Sequence, residues 1–98
     1  MARLELASAL AEDFERIFEY FSAHDEANAP ERIREIINAF DVLATNPLIG
    51  RPAPKDKREL IIGRSGRGYI ALYRYVAEID TVFVLAIRSQ REAGYKHE

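Results

Sequence analysis

Three side chains near the end of this 98-residue sequence could do chemistry: Arg88, Arg91 and Tyr95, in the run Arg88-Ser89-Gln90-Arg91-Glu92-Ala93-Gly94-Tyr95. They follow an apolar stretch, Thr81 to Ile87, so cationic and phenolic groups are placed where a strand gives out. Arginine makes bidentate, charge-assisted contacts with phosphate or carboxylate, and tyrosine offers an apolar ring with a polar tip. Arg58 and Arg74 lie in two earlier strand-like runs, and Arg64 and Arg67 lie in Gly63-Arg64-Ser65-Gly66-Arg67-Gly68 between those runs. Arg58, Arg64, Arg67, Arg74, Arg88, Arg91 and Tyr95 form a candidate target-binding set. The glycine-rich segment reads as a hairpin turn rather than a phosphate loop, because Tyr69-Ile70-Ala71-Leu72 continues it as strand and no helix N-terminus follows to hold an anion.

Other chemistries find no support in the residue types. The chain has no cysteine, which excludes disulfides, thiolate metal sites and a cysteine nucleophile. His24 and His97 stand apart, in no spacing that binds zinc, and no serine, histidine and acid combination suggests a triad. The expectation is a protein with no catalytic residues, no metal and no cofactor.

Hydrophobic residues at 48% and charged residues at 31% describe one ordinary globular domain over residues 1–98. No apolar run approaches the ~20 residues of a membrane-spanning helix, and Met1-Ala2-Arg3-Leu4-Glu5 does not begin a signal peptide, so a cytoplasmic location away from any membrane is expected. Charge is divided along the chain: residues 1–50 carry four basic against ten acidic side chains, and residues 51–98 carry ten against six. An anionic target for the second half is one consequence, and two differently solvated faces is the other.

The elements that must position these groups follow from periodicity. Arg3 to Ala7 alternates as a short strand would, and Ser8 suits a helix N-cap. Leu10, Phe14, Ile17, Phe18 and Phe21 recur at helical spacing to about His24; Pro30 then opens a second helix whose stripe is Ile33, Ile36, Ile37, Phe40 and Leu43. The stretch from Asn46 to Lys57, with Pro47, Gly50, Pro52 and Pro54, reads as irregular and extended. Three runs, Arg58 to Ile62, Tyr69 to Val76 and Thr81 to Ile87, are joined by connections short enough for an antiparallel meander. The fold class is α+β: a short N-terminal strand, an antiparallel helical hairpin, and a three-stranded antiparallel meander packed against the helices.

With this order of elements, and with Arg58-Glu59-Leu60-Ile61-Ile62, Gly68 to Tyr75 and Ala86 to Tyr95 as its most specific segments, the chain resembles the RelE/ParE superfamily of type II toxins. The two branches differ in chemistry. RelE-like toxins are ribosome-dependent messenger RNA endoribonucleases, which need a base, an acid and cations around the reacting phosphate. The resemblance places the RelE-like lysines near Arg58 and Leu60, the second-strand arginine at Ile70, the last arginine at Ser89 and the tyrosine at Tyr95. Only the tyrosine is kept, and an arginine is a poor base. The resemblance therefore implies the ParE-like branch, the plasmid-stabilization type of toxin-antitoxin system, with DNA gyrase inhibited by binding. Arg88 and Arg91 would grip the target and Tyr95 would anchor it. The resemblance also implies a ParD-like antitoxin whose C-terminal segment folds onto the helical hairpin, meeting Phe14, Phe18, Phe21, Ile33, Ile37 and Phe40 in a toxin-antitoxin hetero-oligomer. A non-toxic binding protein that keeps the fold is the competing class.

Overall fold

A computed structural model describes residues 1–24, 28–63 and 68–96. In chain order the elements are β1 (Arg3–Leu6), α1 (Leu10–His24), α2 (Ala29–Ala39), α3 (Asp41–Thr45), β2 (Arg51–Ala53), β3 (Lys57–Ile62), β4 (Tyr69–Val76) and β5 (Thr81–Ser89). The strands make one five-stranded sheet in the order β1-β5-β4-β3-β2. The expected meander is its centre, with β5 antiparallel to β4 and β4 antiparallel to β3. Two short strands widen it: β1 runs parallel to β5, and β2 runs antiparallel to β3.

Strand β2 lies inside the stretch read as irregular. Its Pro52 has no N–H to give a ladder, which is tolerated here because β2 is the edge of the sheet. The turn into β3 puts Lys55 and Asp56 at φ +63° and +59°, the left-handed pair of a tight hairpin that asparagine and glycine usually occupy. The Arg74 guanidinium steadies this turn by donating to the Lys55 carbonyl at 3.0 Å.

The second helix is interrupted at Phe40. Its N–H bonds to the Ile37 carbonyl at 3.1 Å and its carbonyl accepts from Leu43 at 3.0 Å, so the chain tightens to three-residue spacing and re-aims as α3. This lets Ile36, Phe40 and Leu43 all point into the core, each 2% exposed or less.

The helices cover one face of the sheet. Leu10, Ile17 and Phe21 of α1 join Ile36, Phe40 and Leu43 against Tyr69, Ala71 and Tyr73 of β4 and Val82, Val84 and Ile87 of β5. Each fully buried large apolar side chain contributes roughly 1.5–3 kcal/mol, so this single cluster carries most of the fold's stability. The tyrosines of β4 thus face the helices: Tyr73 is fully buried, its hydroxyl accepting the Gly50 N–H at 2.8 Å, and Tyr69 meets Phe21 edge-on at 5.7 Å. Tyr69 and Tyr73 therefore present no open aromatic face.

One irregularity decides which face the end of β5 presents. Leu72 pairs with Ala86 but Tyr73 pairs with Val84, so Leu85 is an extra residue in β5. Before it the even residues Val82 and Val84 face the helices; after it Ile87 does. Arg88 is thereby turned to the face away from the helices, beside Ile70.

Candidate functional site

The segment after β5 does not run off into solvent. It turns back at once, with the Glu92 N–H bonded to the Ser89 carbonyl at 3.1 Å, and the Glu92 carboxylate folds over the turn. Its Oε1 accepts the Ser89 N–H at 3.0 Å and Arg16 Nη2 at 3.2 Å. Arg16 belongs to α1 and gives its other end to Asp13 Oδ1 at 2.9 Å; Nη2 also reaches the Ile87 carbonyl at 3.3 Å. Asp13, fully buried, completes the junction by accepting the Ile87 N–H at 3.1 Å. Helix α1 is thus tied to the root of the tail by one acid and one base. Burial pushes the Glu92 carboxyl up, but the Ser89 N–H and Arg16 outweigh it and hold the group below the usual carboxylate range.

The tip of the tail is tied to the other side of the sheet. Arg88 donates to the Ser89 and Glu92 carbonyls at 3.2 and 2.9 Å, and its guanidinium lies 5.2 Å from the centre of the Tyr95 ring. The Tyr95 hydroxyl donates to Glu59 Oε2 at 2.6 Å, while Glu59 Oε1 takes Arg51 Nε at 2.8 Å. Arg88 is on β5 and Glu59 on β3, opposite Ile70 and Leu72 of the intervening β4. Tyr95 therefore bridges β4 on the face the helices leave bare, where Ile70, Leu72 and Ala86 are nonetheless buried. Burial and the Glu59 carboxylate together push the Tyr95 phenol above its ordinary range, so it stays protonated as a donor. At Glu59 burial is outweighed by the Tyr95 and Arg51 hydrogen bonds, and its carboxyl is held low.

Among the other arginines of the target-binding set, Arg58 lies on the helix-covered face beside Tyr73, and its Nη1 is spent on the Gly50 and Leu48 carbonyls at 2.8 and 3.2 Å. Arg58 and Arg74 line a separate cleft of about 500 Å³ with Leu48, Pro52, Lys57 and Tyr75. Arg74 pairs with Phe83, four residues along β4 from the Ile70 and Arg88 pair, so this cleft is roughly 13 Å from the tail. Arg64 and Arg67 fall outside the described residues. The fold gathers Arg88, Arg91 and Tyr95 and leaves Arg58 and Arg74 apart. Within the tail, Arg88 is committed to internal contacts, whereas Arg91 is exposed and its side chain has no hydrogen-bonding or ion-pair partner among the described residues.

The six residues expected to meet an antitoxin divide in the same way. Phe21 and Phe40 are buried at 8% and 2% exposure and belong to the core, Phe14 and Ile33 are half-buried against it, and Phe18 and Ile37 are open at 42% and 44%. Phe14 meets Phe40 with ring centres 6.4 Å apart, and the exposed Phe18 and Ile37 each lie one helical turn from a half-buried neighbour packed on that core, Phe14 and Ile33. Among the described residues no helix is long and apolar enough to cross a membrane.

Asp13 and Arg16 were not legible as site residues, although a signal was present. Asp13 falls three residues after Leu10 and four before Ile17, squarely on the apolar stripe of α1. An acid at a core position needs a partner, and Arg16 one turn on is its nearest cation.

Two comparisons place this geometry among known proteins. The family model described as the ParE toxin of the type II toxin-antitoxin system, parDE, matches residues 4–94. A solved structure titled a chromosomal ParDE TA system from P. aeruginosa superposes with a TM-score of 0.76 at 20% identity, covering 91% of this chain and 96% of the other. No curated protein matches the sequence.

Proposed function

From a chain that belongs to the family of ParE toxins of type II toxin-antitoxin systems, we propose a protein that inhibits DNA gyrase by binding and is neutralised by a cognate ParD-like antitoxin in the cytoplasm. The observation that carries the choice of binding over RNA cleavage is the state of Tyr95. Its hydroxyl is given to Glu59 and its phenol is kept protonated, while the neighbours at the positions of the nuclease set are the buried Ile70 and the core-packed Leu60. Both Glu59 oxygens are already engaged, by the Tyr95 hydroxyl and Arg51, and Arg88 is committed to the Ser89 and Glu92 carbonyls, so a reacting phosphate beside Tyr95 would find neither an uncommitted base nor an uncommitted cation among these groups. Arg91, held out from an ordered tail, suits a charge-assisted contact with an acidic target surface.

The antitoxin reading rests on Phe18 and Ile37. Two large apolar side chains exposed at 42% and 44% on neighbouring helices give an incoming segment its anchors, with the half-buried Phe14 and Ile33 one turn away on the same helices. A toxin-antitoxin hetero-oligomer would bury them.

Purified protein is tested in a gyrase supercoiling assay beside RNA cleavage on translating ribosomes. Loss of supercoiling with intact messages is the expected outcome. Intact supercoiling with cut messages would transfer the protein to the nuclease branch, and a protein that harms neither gyrase, messages nor growing cells would be a non-toxic member of the fold.

A further inference from the structure

The tail is fastened at two places, by different chemistry, to opposite sides of the sheet. Its root is held by the Glu92 carboxylate between the Ser89 N–H and Arg16 of α1, and its tip by the Tyr95 hydroxyl on Glu59 of β3. Between them Arg88 joins the two fastenings, donating to the Glu92 carbonyl at 2.9 Å and lying over the Tyr95 ring. Glu92 alone takes part in three of these links, two through its carboxylate and one through its carbonyl. The arrangement is not the one that would satisfy every donor. At Arg16 and at Arg88 the buried Nε–H has no hydrogen-bond partner among the described residues, while the Nη groups reach acceptors on the tail.

What that position achieves is local. Arg91 lies inside the Ser89 to Glu92 turn, and its N–H is held by Ser89 Oγ at 3.1 Å, so the turn fixes the backbone on both sides of an exposed guanidinium. We infer that Glu92 is a positioning residue, which holds residues 89–96 as an ordered strap so that Arg91 is offered to the target in one orientation. This rests on the reading that the tail is the target-binding surface. Preorganisation of this kind lowers the ordering cost of association, because a free tail would have to be immobilised at the moment of binding.

The test compares wild type, Glu92→Ala, Glu92→Gln and Arg16→Gln by the protein dose needed for growth arrest, by purified gyrase supercoiling, by hydrogen exchange of the amides at 89–96 and by thermal unfolding. Glu92→Ala is expected to raise the effective dose about tenfold, the equivalent of about 1.4 kcal/mol, and to speed exchange at 89–96 while the core amides keep their protection. Glu92→Gln, which keeps one acceptor, should recover part of the loss. Where Glu92→Ala fails to fold, Arg16→Gln leaves the Ser89 contact in place and is expected to show the same pair of effects. Faster exchange at 89–96 with an unchanged dose would overturn the inference, as would unchanged exchange. A wild type that arrests growth without touching gyrase defeats the gyrase reading only, and the strap is then judged on the growth-arrest dose. A wild type that arrests nothing defeats both.

Discussion

The Tyr95 hydroxyl donates to Glu59 Oε2 at 2.6 Å across 36 residues of sequence, joining the tail to the first long strand of the sheet. This bond closes the face that the helices do not cover. Replacing Tyr95 with phenylalanine keeps the ring beneath Arg88 and removes only the hydroxyl. The Glu59 carboxylate then retains Arg51 alone, on the more exposed side. A loss of about 1–2 kcal/mol is expected for this part-buried bond to a charged group, which thermal unfolding would register as a fall of several degrees.

Acid should loosen the tail before it unfolds the core. Glu59 and Glu92 both have carboxyls held below 4.5 in the folded protein. The stability they contribute is therefore fully present above the ordinary glutamate value and is lost as pH falls through the lower folded values. Amides of residues 89–96, followed by hydrogen exchange below pH 4.5, should lose protection while those of β4 and β5 keep it. Simultaneous loss in both regions would contradict this order.

At alkaline pH the sign reverses. Burial pushes the Tyr69 phenol up to about 12, and burial with the Glu59 carboxylate pushes the Tyr95 phenol up as well. Groups with folded pKa values raised above the unfolded ones contribute stability that is lost as pH rises above about 10. An ultraviolet titration of phenolate should show at least these two of the five tyrosines resisting ionisation until the protein unfolds.

Asp13 ties helix α1 to the end of β5. It is fully buried and accepts from both Arg16 and the Ile87 backbone. Asp13→Ala would strand a strand N–H and take one of Arg16's two carboxylate partners, for an expected cost of roughly 2–4 kcal/mol by denaturant unfolding. Asp13→Asn, which keeps an acceptor, should cost less.

Gly50 is constrained by approach rather than by its backbone angles. A Cβ there would stand 2.7 Å from the Glu59 carbonyl oxygen and from the Tyr73 Cε1 and hydroxyl oxygen. Gly50→Ala would displace the edge strand β2 or the buried tyrosine, and a loss of about 1–3 kcal/mol is expected. Phe18→Glu and Ile37→Glu are the converse case. Both side chains are exposed, so stability should change by no more than ~0.5 kcal/mol, while co-purification with the proposed antitoxin should fall sharply.

Much of this was legible in the chain. The 3.6-residue spacing of Leu10, Ile17 and Phe21, the proline opening α2 and the runs Tyr69 to Val76 and Thr81 to Ile87 each dictate an element locally, because periodicity, capping and strand patterning act between neighbours in sequence. The family resemblance followed from the same segments.

What only the tertiary structure decided is which side each charged group faces and what it touches. Simple alternation along β5 would place Arg88 with Val82 and Val84 beneath the helices; the extra residue Leu85 reverses it, because a one-residue shift exchanges the two faces of a strand. The partners of Glu92 and Tyr95 lie 76 and 36 residues away, at Arg16 and Glu59, a pairing that depends on strand order and on the path of the tail. Sequence determined that arginines and a tyrosine would end the sheet. Packing determined that Arg88 and Tyr95 would hold the tail together and that Arg91 would be left facing outward.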